Sequence, residues 1–234
     1  MAQAATMKPI MSGYGQFCPV AKAAEIFAQR WTPLIIRELL MGSHRFNDLT
    51  RGLPQIPRSI LSERLRSLER QRVIERRPDG NGRIEYWLTP AGDELFHVVW
   101  KLGEWGQRWA NREIGPDDLD PKLLMWDMRR RIHLDRLPGN RVVAQFEFTG
   151  AKQDKIWLVL ERHDVSVCFH DPGLNADLLI TADTLALHRV WMGRLSLPEA
   201  IKAGLIEIDG PRDIARAFPT WLALSAFASV PVAR

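Results

Sequence analysis

Two cysteines in 234 residues, Cys18 and Cys168, are too few for a disulfide framework, and that scarcity points to a reducing compartment. Long hydrophobic runs are missing as well. The longest apolar stretch, Trp221 to Ala233, is interrupted by Ser225, Ser229 and Pro231 and is too short to span a bilayer. The opening MAQAATMKPIM has no apolar core of signal-peptide length. These absences predict a soluble cytoplasmic protein with no membrane partner. The chain also lacks a Walker loop, G-x-S-x-G, H-E-x-x-H and C-x-x-C. Gly80-Asn-Gly82 is too short for a nucleotide fingerprint. Nothing in the pattern supports catalysis or a resident cofactor, so a non-enzyme is expected.

What is present is unevenly distributed. The length suits two modest domains, and 46% hydrophobic with 26% charged residues is ordinary for a globular chain. Residues 1–115 hold 17 basic against 12 acidic side chains, while residues 116–234 hold 15 against 16. Between Arg30 and Arg83 the ratio is 12 to 6, and all 12 basic residues are arginine. Lysine would serve solubility equally well; arginine is suited to bidentate recognition of phosphate or guanine. A solvated helical surface is the plainer alternative.

The first half reads as short helices followed by a hairpin. Val20, Ala23, Ala24 and Phe27 recur at helical spacing. Thr32 looks like an N-cap with Pro33 at the first helical position, opening a second helix that Gly42 ends. A short third helix carries Phe46 and Leu49, with His44 and Arg45 at its start as surface or phosphate contacts. The segment Gly52 to Pro57 is a tight turn. A fourth helix runs from about Pro57 to Gln71, with Ile60, Leu61, Leu65 and Leu68 in one apolar arc. Arg64 falls within that arc, which predicts an inward stem and an internal partner for its head. The opposite face holds Ser59, Ser62, Glu63, Arg66 and Arg70, with Arg58 beside its start. Short side chains at the leading end let such a helix approach a surface closely, and the arginines behind them reach further.

Val73–Arg77 and Arg83–Leu88 alternate around an Asp-Gly/Asn-Gly turn, the signature of a β-hairpin. Thr89-Pro90 then caps a long helix. Its stripe of Leu95, Val98, Leu102, Trp105 and Trp109 is close to a heptad and calls for a partner, either its own domain or a second subunit. Helices, a helix–turn–helix crossing and a hairpin make a winged helix–turn–helix layout. In that layout the fourth helix enters the major groove, and Arg77 and Arg83 sit on the wing.

Several motifs carry a family resemblance in order: Cys18-Pro-Val20, Arg30-Trp-Thr32, Ile36-Arg-Glu-Leu-Leu40 and Arg45-Phe-Asn-Asp-Leu49. They continue with Leu61-Ser-Glu-Arg-Leu65-Arg-Ser-Leu68-Glu69 and Glu85-Tyr-Trp-Leu-Thr-Pro-Ala-Gly92. Over about residues 14 to 112 the chain resembles the HxlR-type branch of the MarR-like transcriptional regulators. The resemblance implies homodimers on inverted-repeat double-stranded DNA operators, commonly as repressors, with the helix from Pro57 as reader. Pro57 departs from the family's usual serine cap, a loss of about 1 kcal/mol unless compensated. The candidate DNA-contacting residues are Arg45, Arg58, Ser59, Ser62, Arg66, Arg70, Arg77 and Arg83.

The two domains are expected at 1–115 and 116–234, joined by Gly115-Pro-Asp-Asp118. Asp120-Pro121 caps a helix through Leu124 and Met128 that carries Arg129–Arg131. The period then changes to strands at Val142–Phe148, Ile156–Glu161, Val165–Phe169 and Leu178–Thr181. Helices follow at about Thr184–Trp191 and Leu197–Ala203, the second opened by the capping box Ser196-x-x-Glu199. A last strand, Leu205–Ile208, turns through Asp209-Gly-Pro211 into terminal helices. The fold class is α+β. Asp177–Thr181, Gly193–Ile201 and Gly204–Gly210 resemble the sterol-carrier-protein-like fold, over roughly residues 120 to 230. That resemblance implies an apolar ligand in a cavity lined by Phe146, Phe148, Trp157, Phe169, Trp191, Met192, Phe218, Trp221 and Phe227. Aromatics at these spacings are equally expected as core.

Two smaller signals remain. Alternation places Cys168 and His170 on one strand face, with His163 and Asp171 nearby, but two ligands are not a metal site. Cys18 lies just before a helix start with Lys22 one turn on, surroundings that favour a thiolate, and members of the resembling family use a cysteine here as a redox or electrophile sensor. The alternative for Cys18 is a small residue at a dimer contact. With Cys18 as the input, the C-terminal domain would be a structural or dimerisation module.

Overall fold

A computed structural model describes residues 13–110 and 114–233, so the opening segment to Met11 and the end of the resemblance at Arg112 lie outside the described residues. Contacts divide the chain into one unit ending at Val99 and a second beginning at Trp100. This division lies inside a helix, ahead of the Gly115 linker.

The first unit opens with α1 (Pro19–Phe27), none of whose residues is buried. Helix α2 (Thr32–Leu40) begins differently from the sequence expectation. Its N-cap is Trp31, held at φ 76°, and Thr32 is already inside the helix and buried. Burying Thr32 moves the cap one residue back, to a tryptophan whose ring lies 5.3 Å from the Arg30 guanidinium. Helix α2 buries Ile35, Ile36 and Leu39 against α3 (Phe46–Gly52) and α4 (Arg58–Arg70), whose Leu49, Leu61, Leu65 and Leu68 complete the core.

The helix–turn–helix crossing is fastened by a buried carboxylate. Glu38 is fully buried and accepts from Arg37 Nη2 at 2.8 Å and Ser43 Oγ at 3.2 Å. Arg37 also donates to the carbonyl of Gly52 at 3.3 Å. A Cβ on Gly52 would sit 1.9 Å from Glu38 Oε2, so only glycine lets the end of α3 close onto this anchor.

Helix α4 starts at the Pro57 N-cap without a side-chain cap. Arg64 is half-buried, as its place in the apolar arc required, but its head does not find the expected internal partner: Nη1 lies 3.5 Å from the exposed carboxylate of neighbouring Glu63. Strands β1 (Ile74–Pro78) and β2 (Ile84–Leu88) pair antiparallel, Ile74 opposite Leu88 and Pro78 opposite Ile84. Thr89 caps α5 (Pro90–Asp93) by accepting from Gly92 N at 3.2 Å. The expected single long helix is interrupted there: α6 (Leu95–Trp105) follows after Glu94 and ends in a π-turn, Gly106–Ala110.

In the second unit, Asp120 caps α7 (Pro121–Met128) by accepting from the Lys122 and Leu123 amides. Arg129–Arg131 form a 3-10 turn instead of continuing that helix. Strands β3 (Val142–Thr149), β4 (Asp154–Glu161), β5 (Asp164–Cys168), β6 (Leu178–Asp183) and β7 (Ile206–Asp209) make one sheet in the order β5-β4-β3-β6-β7. Only β3 and β6 run parallel. Helices α8 (Thr184–Trp191) and α9 (Leu197–Lys202) connect β6 to β7, and the Ser196/Glu199 capping box is formed in both directions. A single helix, α10 (Arg212–Trp221), follows. Residues 222–233 are not helical, so the expected terminal helices reduce to one.

Candidate nucleic-acid interface

Helix α4 sorts its side chains by face. With Leu61, Leu65 and Leu68 buried, Arg58, Ser59, Arg66 and Arg70 are left exposed and Ser62 half-buried on the outer side. Arg66 folds back along the helix, its Nε donating to the Ser62 carbonyl at 3.3 Å. Beside it a cleft of about 280 Å³ is lined by Ser62, Arg66, Glu69 and, from the wing, Arg76 and Tyr86. Arg76 was not among the sequence candidates. The signal was available: strand alternation from buried Ile74 turns Arg76 to the side of α4 and Arg77 away.

The wing is held by charge. At its turn, Asp79 Oδ1 accepts from the amides of Asn81 and Arg83, both at 2.8 Å. The Arg83 amide, then the Asn81 amide, hold the Asp79 carboxyl below the usual carboxylate range, helped by the Arg45 charge. Arg45 reaches Asp79 at 3.1 Å and Glu85 at 3.2 Å, so this candidate DNA contact is already engaged in fixing the wing to the start of α3. Arg77 is ion-paired with Glu75 and lies over Trp87 at 5.3 Å. Arg83 is exposed.

His44 is not the surface contact that its place beside Arg45 suggested. Its ring stacks on Trp87 with centroids 3.6 Å apart, and Nδ1 lies 3.0 Å from the Tyr86 carbonyl. The His44 carbonyl also accepts from the Tyr86 amide at 2.8 Å, adding a short third rung to the wing.

Cys18 is half-buried at the N-cap of α1. Lys22, expected to attend it, instead has its Nζ 3.4 Å from both carboxylate oxygens of Glu25. Beyond α1, helix α6 leaves Val98, Leu102 and Trp105 exposed, and Trp109 follows in the π-turn at 49%.

The aromatics expected around a cavity are distributed otherwise. Trp157 is opposite Gln145 and Cys168 in the sheet, whereas Phe146 is opposite Ile156, so Trp157 lies on the other sheet face from Phe146 and Phe148. There its Nε1 donates to Gln145 Oε1 at 3.1 Å. Phe146, Phe148, Phe218 and Trp221 are buried and pack ring to ring with centroids 5.8–6.1 Å apart. Trp191 and Met192 belong to the same core, and Phe169 packs on its margin. Phe227 lies apart against Trp100, centroids 5.0 Å away. Trp191 also lines an indentation of about 80 Å³ with His188, Asp118, Asp120 and Asp127. Drug-sized ligands need about 300–1,000 Å³.

Among the described residues no helix is long and apolar enough to cross a membrane, and no His/Cys/Asp/Glu group is arranged to hold a metal.

Residues 26–114 match the HxlR-like helix-turn-helix family. The HTH-type transcriptional regulator YvaP of Bacillus subtilis is 38% identical over 108 residues, which cover 45% of this chain and 96% of YvaP. The regulator YodB of the same organism is 34% identical over 104 residues, 43% of this chain and 89% of YodB. Its solved quinone-bound structure superposes on 38% of this chain and 96% of its own, with a TM-score of 0.34. A sec-alkylsulfatase, Pisa1 from a Pseudomonas species, covers 48% of this chain and 18% of its own at 21% identity and a TM-score of 0.40. Both scores fall short of a fold match, and it is the sequence identity over nearly the whole of YvaP that assigns the first unit. The chain belongs to the HxlR-like helix-turn-helix family of DNA-binding transcriptional regulators.

Proposed function

We propose that this regulator acts as a homodimeric repressor on an inverted-repeat operator, with α4 in the major groove and the β1–β2 wing on the flanking backbone. The observation that carries this reading is α4 itself: its leucines are buried, and Ser59, Ser62 and Arg66 are presented outward at spacings one groove can receive. Two-fold symmetry sets two such helices about 34–36 Å apart, one turn of B-DNA. The exposed apolar residues of α1 and α6 support the dimer. The test is binding of Arg66→Ala to a selected operator and to random duplex. A base contact costs about 1–3 kcal/mol on the operator and far less on random DNA. Equal losses on both would reduce Arg66 to a phosphate contact.

For the input signal, the half-buried Cys18 favours a redox or electrophile response. YodB, solved in diamide-treated and quinone-bound forms, and the redox regulator HypR are relatives that support it. Treatment with diamide should alter operator affinity of the parent protein and leave Cys18→Ser unaffected; an equal change in both removes Cys18 from the signal. The second unit's strand order, with one parallel pair at its centre, supports a sterol-carrier-like domain acting as a structural module. The alternative role, sensing an apolar molecule, is tested by native mass spectrometry before and after organic extraction. A released apolar compound would favour the sensor, and a clean apo dimer the module.

A further inference from the structure

The two sides of α6 are used differently. Leu102, Trp105 and, in the π-turn that follows, Trp109 are 48%, 59% and 49% exposed. Trp100 and Gly103 are centred roughly 160° around the helix from that stripe, at 3.6 residues per turn. There a segment from the end of the chain lies on them. All of these residues belong to the second unit.

That segment, residues 223–233, is an irregular strap with hydrogen bonds to three supports. The Ala223 amide donates to the Arg131 carbonyl at 3.0 Å, and Arg131 Nε donates back to the Leu224 carbonyl at 3.2 Å. The Ser225 amide donates to the carbonyl of Trp191, the last residue of α8, at 2.9 Å. The Ala233 amide donates to the Arg108 carbonyl at 2.8 Å, so the strap pins the turn that carries Trp109.

Between the last two supports Phe227 is inserted against α6. Its ring centroid is 5.0 Å from that of Trp100, and it occupies the notch left by Gly103, where a Cβ would run into the end of the ring. Trp100 is held to receive it by its own Nε1, which donates to Glu104 Oε1 at 2.7 Å. One residue on, Ala228 closes over Gly193, whose φ of 69° already favours glycine and whose added Cβ would lie 3.1 Å from that of Ala228. The strap is therefore fitted closely both to α6 and to the end of α8.

We infer that the strap is a buttress for the subunit interface. Phe227 and the Ala233 amide are positioning groups: from behind, they hold α6 and its π-turn in the form that presents Leu102, Trp105 and Trp109 to a second copy of this chain. Because another anchor is the carbonyl of Trp191, a member of the aromatic core, the strength of the dimer becomes a property of the second unit. A helix released from the strap presents a competent face only part of the time, and its apparent dissociation constant rises by the reciprocal of that fraction. The inference rests on the homodimer reading with α6 as its contact.

The experiment measures the dimer dissociation constant of the full chain by sedimentation over a concentration series, with circular dichroism to check folding. Phe227→Ala should raise the constant about tenfold, the result of a competent fraction near one tenth. Gly103→Ala should raise it too, by displacing the ring, although alanine is the better helix former and by propensity alone would strengthen α6. Phe227→Leu, which still fills the notch, should lose less than Phe227→Ala. Ile156→Val, a small cavity elsewhere in the second core, controls for general loss of stability and should match the parent. Hydrogen exchange over residues 106–110 should quicken in Phe227→Ala even in a Trp105→Glu monomer. Constants unchanged in folded Phe227→Ala and Gly103→Ala, with Trp105→Glu monomeric, overturn the buttress and leave α6 as the dimer contact. Exchange unaltered by Phe227→Ala in that monomer overturns the strap's hold on the π-turn. An equal rise in Ile156→Val would assign the effect to the stability of the whole unit and remove the strap from it. A Trp105→Glu protein that stays dimeric overturns the α6 contact, and the buttress with it.

Discussion

The core of the first unit is aliphatic throughout, from Ile35 and Ile36 on α2 to Leu68 on α4 and Ile74 on the wing, whereas the second unit is organised around Phe146, Phe148, Phe218 and Trp221. The first unit keeps its aromatics outside or at the margin: Phe17 is 98% exposed, Phe96 is exposed, and Phe46 and Trp87 carry arginines. Neither α1 nor α6 has a fully buried residue, although Ile26 and Phe27 of α1 pack on the margin of the core, and α6, which runs across the division, keeps an apolar stripe in water. A small unit of this kind is incomplete alone. It leaves a charged face and an apolar stripe exposed, the two surfaces that the proposed operator and partner subunit would cover, while the second unit closes its aromatic surface on itself.

The contrast can be broken most directly in the second core. Phe218→Ala should cost about 3–5 kcal/mol in urea unfolding, since the ring is buried between Phe146 and Trp221. A loss below about 1 kcal/mol would mean that the aromatic cluster is loosely filled and could admit a ligand. In the first unit, Gly52→Ala drives a methyl into the Glu38 carboxylate and should cost about 1–3 kcal/mol, read in the same unfolding experiment. Little change would mean that the crossing tolerates a shift of α3 and that the Glu38 anchor is slack. Trp105→Glu should leave circular dichroism unchanged, because the side chain is exposed, yet shift sedimentation from dimer toward monomer. An unaltered dimer would move the interface away from α6.

The smallest expected effect is on pH dependence. Burial, and then the charge of Arg194, lowers the His188 pKa against the opposing pull of Asp118. The unfolded chain then binds this proton more readily than the folded one, so stability contributed by neutral His188 is present above about 6.5 and declines as pH falls below it, down through the lowered folded value. His188→Gln should flatten that part of the stability profile, measured by thermal melting across the pH range. An identical profile would place the dependence elsewhere.

Much of the fold was legible because its signals are local. Asp120, Ser196 and Thr89 cap helices within three residues of themselves, and the Asp-Gly/Asn-Gly turn closes its own hairpin. The strands of the second unit were legible from alternation. What failed were readings that depended on partners distant in sequence. Thr32 looked like a cap until tertiary burial placed it inside α2. His44 looked exposed until the wing brought Trp87 onto its ring. Trp157 looked like a neighbour of Phe146 because composition does not show strand register.

The candidate interface divides along the same line. The amphipathic period of α4 alone separated Leu61, Leu65 and Leu68 from Ser59, Ser62 and Arg66, because a helix fixes which residues share a face. Arginine content alone marked the first half as the charged one. No local rule could tell which arginines are free to bind. Asp79 and Glu85, more than thirty residues along the chain, claim Arg45, and Phe46 holds Arg58 while leaving its charge open. Those pairings exist only once α4 and the wing fold back beside α3, since charges and rings interact through space and the chain order does not record it.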